Sequence, residues 1–243
     1  MRTLLVLLAF TVPLHADAFS DLRDALGRLT AREPIRATYE VQRAVNNEGR
    51  FANDKFNGKA TVELEGGSDG VRIAFARPLI EQVTREMQAR SANPKLPTPT
   101  VSALNQIGAV TAAEAIDAAL PILNLIQDAK VVDDRTGTWQ GKPARVVIFR
   151  LSDKRESDVG KVTVSENRLT LWLGADHVPL AAEHVRNAKM SFLVFKGESK
   201  SKRSWHFAHI GDRLIRVHEE ENETGSGLGQ KGTVSFMATL RVR

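Results

Sequence analysis

Two hydrophobic periods divide the chain. From Ile35 to Phe75 apolar and polar residues alternate at every second position, as in strands with one wet face. From Pro78 to about 128 apolar residues recur every third or fourth position, and from about 129 to the end the two-residue period returns. Ile35, Ala37, Tyr39, Val41 and Val45 alternate with Arg36, Thr38, Glu40 and Gln42. A second run sets Ala60, Val62 and Leu64 against Lys59, Thr61, Glu63 and Glu65, and a third carries Val71, Ile73 and Phe75. Asn46-Asn47-Glu48-Gly49 and Gly66-Gly67-Ser68-Asp69-Gly70 supply turn chemistry between them, so the pattern predicts an antiparallel meander.

Ahead of the meander, Phe19, Leu22, Leu26 and Leu29 predict an amphipathic helix over 19–30, with Ser20 as its N-cap. After it, Pro78 opens a helix carrying Leu79, Val83, Met87 and Arg90. Residues 91–100, with Pro94, Pro97 and Pro99, read as an extended connector. Residues 101–128 hold few charges (Glu114, Asp117 and Asp128). Thr111-Ala112-Ala113-Glu114 matches a capping box, and Pro121 is expected to kink or split the helix that it opens, so one or two buried helices are predicted. The later strands include a hairpin at Trp139-Gln140-Gly141-Lys142, a segment apolar on both faces at Val146–Phe149, and the runs 169–173, 180–186, 190–195, 205–210, 214–218 and 234–242.

The fold class expected is α+β: one strongly curved antiparallel sheet, an unclosed half-barrel, with helices covering its concave face. Residues 19–243 form a single domain with a helical lid inserted at about 78–128. The lid helices are either permanent core or a movable cover, and the pattern does not choose between them.

The first eighteen residues have the three parts of a secretory signal peptide: Arg2, the apolar run Leu4–Phe10, and the small-residue site Ala16-Asp17-Ala18. The apolar run falls well short of the roughly 20 residues that span a bilayer. Cleavage after Ala18 would leave 225 of the 243 residues. The chain has no cysteine, which removes thiol nucleophiles, Cys-based zinc sites and an N-terminal lipid-modified cysteine from consideration. A disulfide-free exported chain of this size is expected in the periplasm.

Catalytic motifs fail on context. Gly66-Gly67-Ser68-Asp69-Gly70 matches the serine-hydrolase elbow, but it lies between two alternating strands and not at a strand-to-helix turn. Ser199-Lys200-Ser201-Lys202 lacks the partner motifs of an S-x-x-K nucleophile. The histidines after residue 18 (His177, His184, His206, His209, His218) show no metal-ligand spacing. No catalytic residue, cofactor or metal is therefore expected. Charge is more informative. Residues 178–216 hold eight bases against three acids, an excess equal to the net charge of +5 of the whole chain. The densest part, Lys196–Arg203 beside Trp205, reads as a wet hairpin. Lys200, Lys202 and Arg203 there are candidates for contact with an anionic membrane surface or envelope protein. Nucleic acid is not an expected partner.

Three segments carry a family resemblance: Ile35-Arg36-Ala37-Thr38-Tyr39-Glu40-Val41-Gln42 after the first helix, Arg77-Pro78 closing the third strand, and Leu171-Trp172-Leu173-Gly174-Ala175-Asp176-His177-Val178-Pro179-Leu180. With the order of elements, they make the chain resemble the LolA/LolB-like periplasmic lipoprotein-carrier superfamily, including the N-terminal domain of RseB-type regulators. The chain departs from that pattern after Arg77-Pro78, where it turns helical. The resemblance implies an unclosed barrel with a hydrophobic concave face and a helical lid. On that basis the expected function is a periplasmic carrier or sensor for a lipid, acyl chain or lipoprotein. Tyr39, Val41, Val62, Leu64, Ile73 and Phe75 would line the groove, and Leu104, Ile107, Ile116, Leu120 and Leu123 would close it. The alternative is a non-enzymatic cell-envelope interaction module whose groove is filled by its own helices.

Overall fold

The computed structural model describes residues 18–49, 54–153, 161–192 and 195–243. The expected signal peptide lies outside the described residues except for Ala18, and so do residues 193 and 194 within the predicted 190–195 run, whose two ends belong to different strands.

The elements are α1 (Ala18–Gly27), β1 (Ile35–Gly49), β2 (Lys55–Gly67), β3 (Gly70–Ala74), α2 (Arg77–Ala92), α3 (Pro99–Leu104), α4 (Ala109–Ile116) and α5 (Ala119–Ile126). Then come β4 (Lys130–Trp139), β5 (Lys142–Arg150), β6 (Lys161–Leu173), β7 (Pro179–Phe192), β8 (Phe195–Ile210), β9 (Arg213–Gly227) and β10 (Gln230–Val242). The fold is α+β. The ten strands form one antiparallel sheet in the order β3-β2-β1-β10-β9-β8-β7-β6-β5-β4. Pairing of β1 with β10, from Ala37↔Val242 to Gly49↔Gln230, places β3 and β4 at the two open edges. The chain between those edges must cross a face of the sheet, and α2–α5 are that crossing.

The alternation explains the strands. On β1, Ile35, Ala37, Tyr39 and Val41 are buried and the residues between them are wetter. On β5, Val146, Val147 and Phe149 are buried on both faces, as expected. Gln140 and Gly141 both have positive φ (48° and 77°), the conformation of a two-residue hairpin turn at the predicted place. Two apolar cores lie on the helix-covered face. One joins α1 and α5 (Leu22, Leu26, Ile122, Ile126) to Val147, Phe149, Leu169 and Leu171. The other joins α3 and α4 (Ala103, Ala112, Ile116) to Tyr39, Val41, Val62, Leu64 and Leu240.

Several local expectations are corrected. Ser20 lies inside α1, which ends at Gly27 and not at 30. Asn46–Gly49 is not a turn: it continues β1, paired with Gly232 and its neighbours on β10. Residues 101–128 hold parts of three helices, not one or two, and α3 begins within the expected connector, at Pro99. The cap of α4 is Gly108, whose N–H donates to Thr111 Oγ1 at 2.8 Å, so Thr111 closes the first turn from inside the helix. The break falls before Pro121, at Asp117–Ala118, where α4 and α5 meet at 100°. Pro121 then sits in the first turn of α5, where its missing N–H costs nothing. Finally, Lys196–Arg203 is not a hairpin. It is the first half of β8, paired on both sides.

Candidate functional site

The expected groove residues are largely interior packing. Tyr39, Val41, Val62 and Leu64 are buried beneath α3 and α4 together with Ile107 and Ile116, and Ile73 and Leu104 pack partly against the same core. Phe75 lies past the end of β3 and is 45 % exposed. Leu120 is 59 % exposed. The 100° bend resets the helical phase, so α5 turns Ala119, Ile122 and Ile126 inward, and Leu123 packs only partly. Leu120 instead borders an outer groove of about 690 Å³ with Val71, Val110 and Pro121, which the buried Ile116 also lines.

Open space lies under α5. A chamber of about 270 Å³ is walled by Pro121, Ile122 and Leu125 of α5 and by Leu169, Leu171, Ala182, Trp205 and Phe207 of β6, β7 and β8. At Leu125, His184 and Arg203 it adjoins a polar trough of about 830 Å³, which runs past Asn167, Arg186, Ser199, Ser201, Glu221 and Glu223. Register explains the change in character. Leu171, Ala182, Trp205 and Glu219 form one cross-strand row; Leu169, His184, Arg203 and Glu221 form the next; Asn167, Arg186, Ser201 and Glu223 form the third. Moving along the strands, this face passes from apolar to charged.

The boundary is tightly bonded. Glu219, 5 % exposed, accepts the Trp205 indole N–H at 3.1 Å and pairs with Arg216 Nε at 3.2 Å. Arg203 pairs with Glu221, and its Nε stands 3.5 Å from Glu219. Burial works against the charge of Arg203, but its hydrogen bond to Glu221 and the charges of Glu221 and Glu219 hold its proton more firmly than usual. His184 stacks nearly parallel on Trp205, 6.5 Å between centroids, and its Nε2 lies 2.8 Å from Asn167 Oδ1. Burial, and then the charges of Arg203 and Arg186, hold His184 below its ordinary value. Nearby, burial pushes the Tyr39 hydroxyl up to about 12, against the opposing pull of Arg216.

The basic patch does not assemble. The two-residue period of β8 sends Lys200 and Lys202 to one face and Arg203 to the other. Lys202 pairs with Glu183 at 2.9 Å, while Arg203 is committed to Glu221 and Glu219. The same alternation separates Ser199, which bonds Glu223, from Lys202. Ser68 bonds its neighbour Asp69 in an exposed turn. Among the described residues no group of three or more His, Asp or Glu is placed to hold a metal ion.

The walls Leu169, Leu171, Ala182 and Phe207 were missed as site residues although their strands were recognised. A signal exists: Leu171 faces the small Ala182 across the strands, which leaves room in the row. Compared with protein-family models, with curated proteins and with solved structures, the chain matches none.

Proposed function

We propose that this protein is an exported carrier or sensor that shelters a hydrophobic ligand, a lipid or acyl chain, beneath α5, and that it performs no chemistry on it. The observation behind the reading is the junction at Leu125, His184 and Arg203, where a mostly apolar chamber, lined also by Glu114 and Arg216, opens onto a polar trough. An amphiphile has the same order of parts. Burial contributes roughly 0.8 kcal/mol per CH₂. A chain of about eight methylenes would thus gain about 6 kcal/mol before ordering costs, with no polar motif required.

The reading takes the sheet as a curved half-barrel with its concave side under the helices. The signal-peptide pattern of residues 1–18 favours the periplasm as the site of action.

The second reading, a cell-envelope interaction module with a self-filled groove, draws support from the other half of the face. There Tyr39, Val41, Val62 and Leu64 are covered by the chain's own α3 and α4. Native mass spectrometry of protein purified from an envelope fraction, followed by organic extraction, separates the two. A co-purifying amphiphile at stoichiometric level is the expected result. An apo mass, with no uptake of a fluorescent fatty acid, overturns the carrier reading in favour of the module.

A further inference from the structure

The face of the sheet opposite the two helix-packed cores carries a different arrangement. His206 of β8 and His218 of β9 are direct cross-strand partners, so their side chains leave the same face with Cβ atoms about 4.5–5.5 Å apart. That face is opposite the chamber, because the preceding residue on β8, Trp205, is buried in the core beneath α5. The two imidazole centroids are 5.3 Å apart, with planes at 44°. Trp139 stands edge-on to His206 at 5.2 Å, and Trp172 lies 5.2 Å behind Trp139. Both histidines are part-exposed, and neither forms a hydrogen bond or ion pair among the described residues.

We propose that His206 and His218 form a two-imidazole site for a transition-metal ion, Cu²⁺ before Zn²⁺ or Ni²⁺, with solvent completing the coordination. Two imidazole nitrogens each about 2.0–2.1 Å from one ion stand about 3–4 Å apart, a separation that rings 5.3 Å apart reach by small side-chain rotations. Imidazole suits copper, nickel and zinc, and with only two protein ligands the ion of highest intrinsic affinity is favoured, which is Cu²⁺. The site is labile and not structural, because no third side chain among the described residues closes it. Trp139 is not a ligand; it walls one side and reports occupancy.

The test is titration of the full chain with CuCl₂, followed by calorimetry and tryptophan fluorescence. Binding of one ion per chain with saturable quenching is expected. Trp139→Phe should remove most of the quenching and keep the heat. His206→Gln and His218→Gln should each weaken binding by about tenfold or more, while His209→Gln, on the other face, should leave it unchanged. Electron paramagnetic resonance of the wild-type complex needs no variant and should show coupling to two imidazole nitrogens. A spectrum without that coupling, or unchanged affinity in both His206→Gln and His218→Gln, overturns the site.

Discussion

Trp205 donates its indole N–H to the Glu219 carboxylate at 3.1 Å, joining two residues that sit opposite one another on β8 and β9. The carboxylate is buried at the divide between the two apolar cores, and Arg216 Nε, 3.2 Å away, supplies its counter-charge. A buried ion needs such partners, and removing one leaves the other uncompensated. Glu219→Ala should therefore lower stability by about 3–5 kcal/mol, against about 1–3 kcal/mol for Trp205→Phe, which deletes one donor. Urea midpoints of the two variants give the comparison; a Glu219→Ala cost below that of Trp205→Phe would contradict this account.

The carrier reading makes Ala182 the most informative wall position. It is small, it lines the chamber between Leu171 and Trp205, and a larger side chain there projects into the open space. Ala182→Phe should abolish uptake of a fluorescent fatty acid at a stability cost of about 1–3 kcal/mol. Retained uptake in a folded variant places the ligand elsewhere.

Gly58 seats α3 on the sheet. A Cβ at this buried position of β2 would run into the backbone carbonyl of Pro99, the first residue of α3. Backbone cannot yield as a side-chain tip does, so Gly58→Ala should cost about 1–3 kcal/mol. Gly67→Ala, where a Cβ meets nothing, is the matched control. Equal denaturation midpoints would show that α3 is not seated in this way.

Stability should fall on mild acidification. His184 and His206 start from an ordinary value of 6.5, and burial lowers both in the fold, aided by Arg203 and Arg186 at His184 and by His218 at His206. Below about 6.5 the unfolded chain binds more protons than the folded one, so stability rises with pH through that window. The contribution is complete above about 6.5 and is lost as pH falls through the lowered folded values. Melting temperatures measured from about pH 7.5 down to about pH 5 should therefore decline, and the double variant His184→Gln/His206→Gln should flatten that decline. An unchanged slope in the double variant would assign the effect to other groups.

Much of the secondary structure was legible because alternation is local. Ile35–Val41, Ala60–Leu64 and Val146–Phe149 each carry their own period, and Gln140-Gly141 carries its own turn chemistry. The lysine-rich stretch 196–203 was misread as a hairpin because its polarity reflects partners outside the segment: Glu183 and Glu221 on the neighbouring strands. Leu120 was misplaced because a helical phase carried through Asp117 assumes one axis. The axis turns by 100° where Ala118 N–H bonds Leu214 O, a contact nearly a hundred residues away.

The sequence by itself determined the helix and strand periods and the lack of cysteine, which depend on residues close together in the chain or on composition alone. Only the tertiary structure decided that β1 closes on β10, that α3 and α4 fill one half of the covered face, and that a chamber under α5 meets a charged trough. It also brought His206 to His218 on the opposite face. These outcomes depend on cross-strand register, which sets side by side residues that no local pattern relates, and one residue of slip would have turned each of them to the other face.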